Sequence, residues 1–144
     1  MAGYNPKILD ADNQELLRLH NGKPYCFAGP IETMTNSNNA FRKVVYTGTK
    51  MQLVLMTLTA GQTIDREVHP AADQFFRVEN GSMIIKVEDP NETLEAKAGD
   101  AIIVTAGTYH TVIAGPLGVK LYTVYSPANH PHDRVQITKP EIDD

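Results

Sequence analysis

Glu67 and His69 stand two residues apart in the extended run IDREVH, so both side chains leave the same face of one strand. Gln74 opens the next run, after the turn residues Pro70, Ala71, Ala72 and Asp73. Far along the chain, His110 follows Thr105-Ala106-Gly107-Thr108-Tyr109, a turn that re-enters the sheet and can aim an imidazole at the same point. A carboxylate, two imidazoles and an amide oxygen are donor types that divalent transition ions accept. The competing reading is a metal-free cluster of inner polar residues bonded to one another and to water. That cluster would bury a carboxylate without a cation, which is costly or forces the group neutral.

Other reactive residue types are less engaged. His130 and His132 form a His-x-His pair in a polar, Pro-punctuated tail and read as a solvated loop, and His20 reads as a helix-terminal or surface residue. Cys26, the only cysteine, reads as a small buried hydrophobe with nothing basic beside it to activate the thiol.

The elements that must position these groups are mostly strands. Residues 9–20 carry apolar side chains at Leu9, Leu16, Leu17 and Leu19, with Asn21-Gly22 after them, and predict one short N-terminal helix. From Phe41 onward, short β-branched and aromatic runs alternate with turn residues. They predict strands over 43–46, 52–58, 64–69, 74–78, 83–88, 93–96, 101–104, 110–113 and 119–125. Asn80-Gly81 predicts a hairpin turn, and Asp89-Pro90-Asn91 another turn. Nine short strands need closure or two packed sheets to hide their edges, so the expected fold is an all-β jelly-roll barrel with a short N-terminal helix. The expected organisation is a segment 1–40 packed on the barrel, a barrel over 41–126 and a polar tail over 127–144 that wraps the outside or frays.

Over roughly residues 41–126 the chain resembles the cupin superfamily, whose fold is a double-stranded β-helix. The first cupin motif, Gly, five residues, His-x-His, three or four residues, Glu, six residues, Gly, reads here as Gly61, Glu67-Val68-His69, Gln74 and Gly81 with every spacing kept. The second, Gly, five residues, Pro-x-Gly, two residues, His, three residues, Asn, reads as Gly99, Thr105-Ala106-Gly107, His110 and Ala114, again with every spacing kept. Glu67 replaces the first His, Gln74 the Glu, and Thr105 and Ala114 the usual Pro and Asn.

The resemblance implies a divalent metal, Fe, Mn, Ni or Zn, held by Glu67, His69, Gln74 and His110, close in kind to a two-His, one-carboxylate site with an added amide oxygen. The negative charge has moved from the third ligand position to the first, and the net ligand charge is unchanged. Two functions follow from different classes. One is an enzyme acting on a small oxygenated metabolite, by dioxygenase-type chemistry or by isomerase-type chemistry such as that of the phosphomannose isomerases. Glu67 and Tyr109 are its candidate catalytic residues, with Tyr122 a further candidate for orienting substrate. The other is a non-catalytic module that binds or senses a small molecule.

Composition narrows the partners. A formal net charge of -4 without clustered Lys and Arg argues against a nucleic-acid surface. No run approaches the length that spans a bilayer, and the N-terminus lacks a basic segment followed by an apolar run, so no membrane role and a cytoplasmic location are expected. If Gln74 points inward, Phe76 and Val78 do too, leaving Phe75 and Arg77 on the other face as a patch for a homodimer or for the N-terminal segment.

Overall fold

The structure, a computed structural model, describes residues 19–141. In chain order the elements are β1 (Leu19–His20), β2 (Lys23–Pro24), α1 (Ile31–Ser37), β3 (Arg42–Thr47), β4 (Gln52–Leu58), β5 (Thr63–Glu67), β6 (Asp73–Val87), β7 (Glu92–Lys97), β8 (Ala101–Val104), β9 (His110–Ser126) and β10 (Val135–Gln136).

The two long strands, β6 and β9, organise an antiparallel jelly roll. Asp73–Val78 of β6 pairs with Leu121–Ser126 of β9, and this half is extended by β8 on one side and by β4, β3 and β10 on the other. Met83–Val87 pairs with His110–Ala114, and this half is extended by β7 and β5. Each long strand therefore passes through both halves of the barrel, which is how the expected all-β fold closes.

Between the halves both strands bend, with register shifts at Val78/Asn80 and Gly81/Met83. The expected hairpin at Asn80-Gly81 is thus corrected: these residues form an irregularity inside one continuous strand. Gly81 sits at φ +77, where a side chain is strained, and a Cβ there would collide with the Gly118 carbonyl on the neighbouring strand. The hairpin chemistry instead operates at Asn21-Gly22, where φ values of 52 and 75 join β1 to β2 in a two-residue turn.

Period-two alternation sets the core. Gln74, Phe76 and Val78 of β6 are buried inside, while Phe75 and Arg77 are half-buried on the outer face. The interior cluster holds Met56, Phe76, Val78, Ile85, Val112, Leu121 and Tyr125, among others, each worth roughly 1.5–3 kcal/mol on full burial. A second cluster, Met34, Val45, Tyr46 and Leu55, lies on the outer face of β3 and β4, with Phe27, Ile31, Leu53 and Tyr122 packed on it. Strand β4 (QLVLMTL) accordingly lacks clean alternation, because both of its faces are covered.

The helix predicted over 9–20 lies outside the described residues except for its last two, which belong to β1. The described helix is α1, which the sequence pattern does not announce. It follows Pro30, carries Glu32 in its first turn and buries Met34 and Thr35. Its seven residues include Thr, Asn and Ser, weak helix formers, so tertiary packing of Met34 rather than propensity sustains it. Beyond Ser126 the chain wraps the barrel: β10 pairs with β3, and Lys139 Nζ lies 2.7 Å from Asp65 Oδ1 and donates to Thr63 Oγ1 at 2.9 Å on β5. Among the described residues no helix is long and apolar enough to cross a membrane.

Candidate metal centre

Glu67 ends β5 and is the cross-strand partner of His110, which opens β9. His69 lies just beyond β5, where its carbonyl accepts the Gly107 N–H at 3.0 Å. The turn that delivers His110 is closed by Thr108 N–H to the Thr105 carbonyl at 3.2 Å, with Gly107 at φ +82. Ala106 N–H donates to Asp73 Oδ1 at 2.8 Å, which ties the same turn to the residue before Gln74. Backbone and turn bonds thus hold three separated pieces of sequence together.

The result is a compact donor cluster. Glu67 Oε1 lies 3.2 Å from His69 Nε2 and 3.4 Å from His110 Nε2, and the ligand atoms of the three residues all fall within 4.8 Å of one another. His110 Nδ1 is 2.9 Å from the Thr108 carbonyl oxygen, which can only accept. In the neutral ring Nδ1 therefore carries the proton, and Nε2 turns a lone pair toward Glu67. Neither histidine contact to Glu67 has the alignment of a hydrogen bond: Glu67 Oε1, His69 Nε2 and His110 Nε2 are buried without a hydrogen-bond partner among the described residues, as is Gln74 Oε1. Converging donor atoms of Glu67, His69 and His110 with no proton aligned between them suit a shared cation, so these three residues fit a metal ion.

Charge follows the same logic. Burial pushes the Glu67 carboxyl up, but attraction to His110 and His69 in their protonated forms outweighs it and holds the pKa at about 2. Burial pushes His110 down, while the Glu67 carboxylate and the Thr108 carbonyl raise it to a net value above the usual 6.5. The pocket selects a positive charge beside Glu67, and a carboxylate held so low is a poor proton acceptor near neutrality.

Aromatic side chains wall the cluster. Tyr125 meets the His69 ring edge-on at 5.3 Å and Phe76 meets His110 at 6.4 Å. Behind Tyr125, its hydroxyl lies 3.2 Å from His130 Nε2. His130 is buried, which corrects the reading of His130 as part of a solvated loop; His132 is exposed. Gln52, fully buried, secures this loop: its amide nitrogen donates to the His130 carbonyl at 2.6 Å, and its oxygen accepts the N–H groups of His130 at 2.9 Å and Asn129 at 3.1 Å. The anchoring residue lies 78 positions upstream, so nothing local to the tail could announce it.

Tyr109 does not join the cluster. Its ring lies 4.0 Å below the Arg66 guanidinium, itself ion-paired with Glu88 at 2.8 Å, and 43% of the residue is exposed. Chain alternation is the reason: turning His110 inward turns its neighbour Tyr109 outward. Tyr122 likewise faces out, its ring tilted against Phe75 and packed on the second cluster. Cys26 is exposed rather than buried.

The profile of the family described as Cupin domain matches residues 54–125, which span β4 through β9 and include all four candidate donors. This chain belongs to the cupin family. Among its relatives, this cupin is 40% identical over 133 residues to the uncharacterized protein YrkC of Bacillus subtilis, covering 89% of this chain and 70% of YrkC. It is 36% identical over 114 residues to protein L612 of Acanthamoeba polyphaga mimivirus, covering 77% of this chain and 71% of that one. The crystal structure of BH2720 from Bacillus halodurans superposes with a TM-score of 0.75 at 36% identity, covering 78% of this cupin and 89% of BH2720.

Proposed function

We propose that this cupin is a metal-dependent enzyme acting on a small oxygenated metabolite, with Glu67, His69, His110 and Gln74 holding a divalent transition ion such as Fe, Mn, Ni or Zn. The observation that carries this reading is the set of four buried lone-pair atoms on these residues that have no hydrogen-bond partner among the described residues. When bound, such an ion supplies Lewis acidity or, if redox-active, electron transfer.

The protein's own groups do the rest. The Thr108 carbonyl fixes the His110 tautomer, Phe76 and Tyr125 exclude water from the inner side, and Glu67 supplies the single negative charge. In this reading Glu67 is a ligand, and a carboxyl held low at about 2 is already ionised for a cation. In the isomerase-type alternative Glu67 would instead act as the base, while Tyr109 stands on the outer side beneath Arg66. The reading includes a cytoplasmic setting and a homodimer formed through the outer face around Phe75, where Ile103 is 62% exposed.

The test is elemental analysis of tag-free protein beside a His69→Ala, His110→Ala double variant, followed by oxygen-uptake and isomerase assays on the metal-loaded form. A near-stoichiometric transition ion in the parent alone, with turnover that metal removal abolishes, supports the enzyme. Metal with tight ligand retention and no turnover supports the binding module instead, and no metal even after anaerobic reconstitution overturns the metal centre.

A further inference from the structure

An amide side chain has a right and a wrong way round at a metal: its oxygen can coordinate a cation and its NH₂ cannot. Gln74 is 1% exposed on the inner face of β6, and whether it can be a ligand turns on which end its neighbours hold and which they leave unpaired. The neighbourhood settles the orientation. Gln74 Nε2 donates to Thr123 Oγ1 at 3.0 Å, and Thr123 Oγ1 donates its one proton to the Phe75 carbonyl at 2.9 Å. With that proton spent on a carbonyl that can only accept, the Thr123 oxygen can only receive, so the Gln74 atom beside it must be the nitrogen. Gln74 Oε1 is left buried and without a hydrogen-bond partner among the described residues.

The surroundings offer no other use for this hydroxyl. Thr123 is fully buried in β9, and its neighbours along the ladder are Val54 of β4 and Phe76 of β6, both apolar. The residues next to Gln74 belong to the donor cluster's wall: its cross-strand partner Tyr125 meets His69, and Phe76, two residues along the same face, meets His110. A lone hydroxyl in an otherwise apolar row, bonded to the back of a buried amide, is a device for aiming that amide.

The geometry points to Thr123 as the positioning residue of the metal centre, one that locks the Gln74 amide with its oxygen turned toward the donors and so lets a neutral glutamine serve as a ligand. This rests on the metal reading of Glu67, His69 and His110. It also accounts for how this chain departs from the family pattern, which has a glutamate where Gln74 stands. A carboxylate would coordinate either way round, whereas a glutamine needs an orienting partner.

The experiment measures Co²⁺ affinity by chelator competition and records the visible spectrum of the Co²⁺-loaded protein, which follows coordination number. It uses the parent, Gln74→Ala, Thr123→Val and Thr123→Ser, with near-ultraviolet circular dichroism as the fold control. Thr123→Val is expected to lower affinity about 10–100-fold and to shift the spectrum to that of Gln74→Ala, while Thr123→Ser restores both. A double-mutant cycle keeps the test sharp even if the valine variant is less stable. In a Gln74→Glu background, Thr123→Val should have at most a small effect on affinity, because a carboxylate has no wrong way round.

Equal losses from Thr123→Val in the parent and in the Gln74→Glu background, or parent-like affinity and spectrum in Thr123→Val, would overturn the positioning role while leaving the metal centre intact. A parent protein that binds no Co²⁺ would overturn the metal reading itself.

Discussion

Glu67 and His110 are cross-strand partners whose facing atoms lie 3.4 Å apart, and the Thr108 carbonyl behind His110 fixes which imidazole nitrogen faces the carboxylate. Removing His110 therefore leaves Glu67 buried with one fewer partner and the ion with one fewer ligand. His110→Ala should lower metal content at least about tenfold, whereas His132→Ala, at an exposed tail position, should leave it within about twofold. Elemental analysis of variants purified in parallel decides this, and equal losses would sink the site.

Metal affinity should depend on pH with a sign set by His110. Its pKa is raised above 6.5 in the metal-free protein, so below that raised value an incoming ion must displace a proton. Apparent affinity should fall by about tenfold per pH unit as pH drops through this range, and level off above it. Glu67, at about 2, stays ionised throughout and adds nothing to the slope. Competition titrations between pH 5 and 8 check the profile, and a flat line would exclude His110 as a ligand.

Gly81→Ala should destabilise the barrel. The residue sits at φ +77, and a Cβ would meet the backbone of Gly118, so strain of roughly 1–3 kcal/mol adds to a contact that neither strand can relieve locally. Urea denaturation should show the lower midpoint. An unchanged midpoint would mean that the bend in β6 does not need glycine.

Gln52→Leu should cost about 2–3 kcal/mol, because three hydrogen bonds to residues 129 and 130 are lost and the freed backbone groups stay partly buried. The His130 imidazole should leave Tyr125 at the same time. A shift of the His130 ring resonances toward free imidazole would report it, and native shifts in a folded variant would show that the loop holds itself.

Strand positions and inward alternation were legible because β6, β7 and β8 each satisfy one rule at a time: Phe76 and Val78 face in, and Phe75 and Arg77 do not. The convergence of Glu67, His69 and His110 was legible for the same reason, since strand geometry and a tight turn set their directions. What stayed hidden depended on distant partners. Asn-Gly forms a hairpin at 21–22 but not at 80–81, because two long strands running side by side outweigh the local turn preference. The burial of His130 comes from Gln52, and α1 forms because Met34 finds Val45 and Leu55.

Strand β3 would present a bare row of backbone donors and acceptors along its outer side without β10, which occupies part of that row through Val135 and Gln136. Lys139 then crosses to Asp65 and Thr63 on β5, so the wrapped segment also fastens at a second strand. Trimming the chain after Ser126 would thus do more than loosen a surface segment. It would offer β3 to the matching edge of another molecule and turn a self-contained barrel into one prone to aggregate.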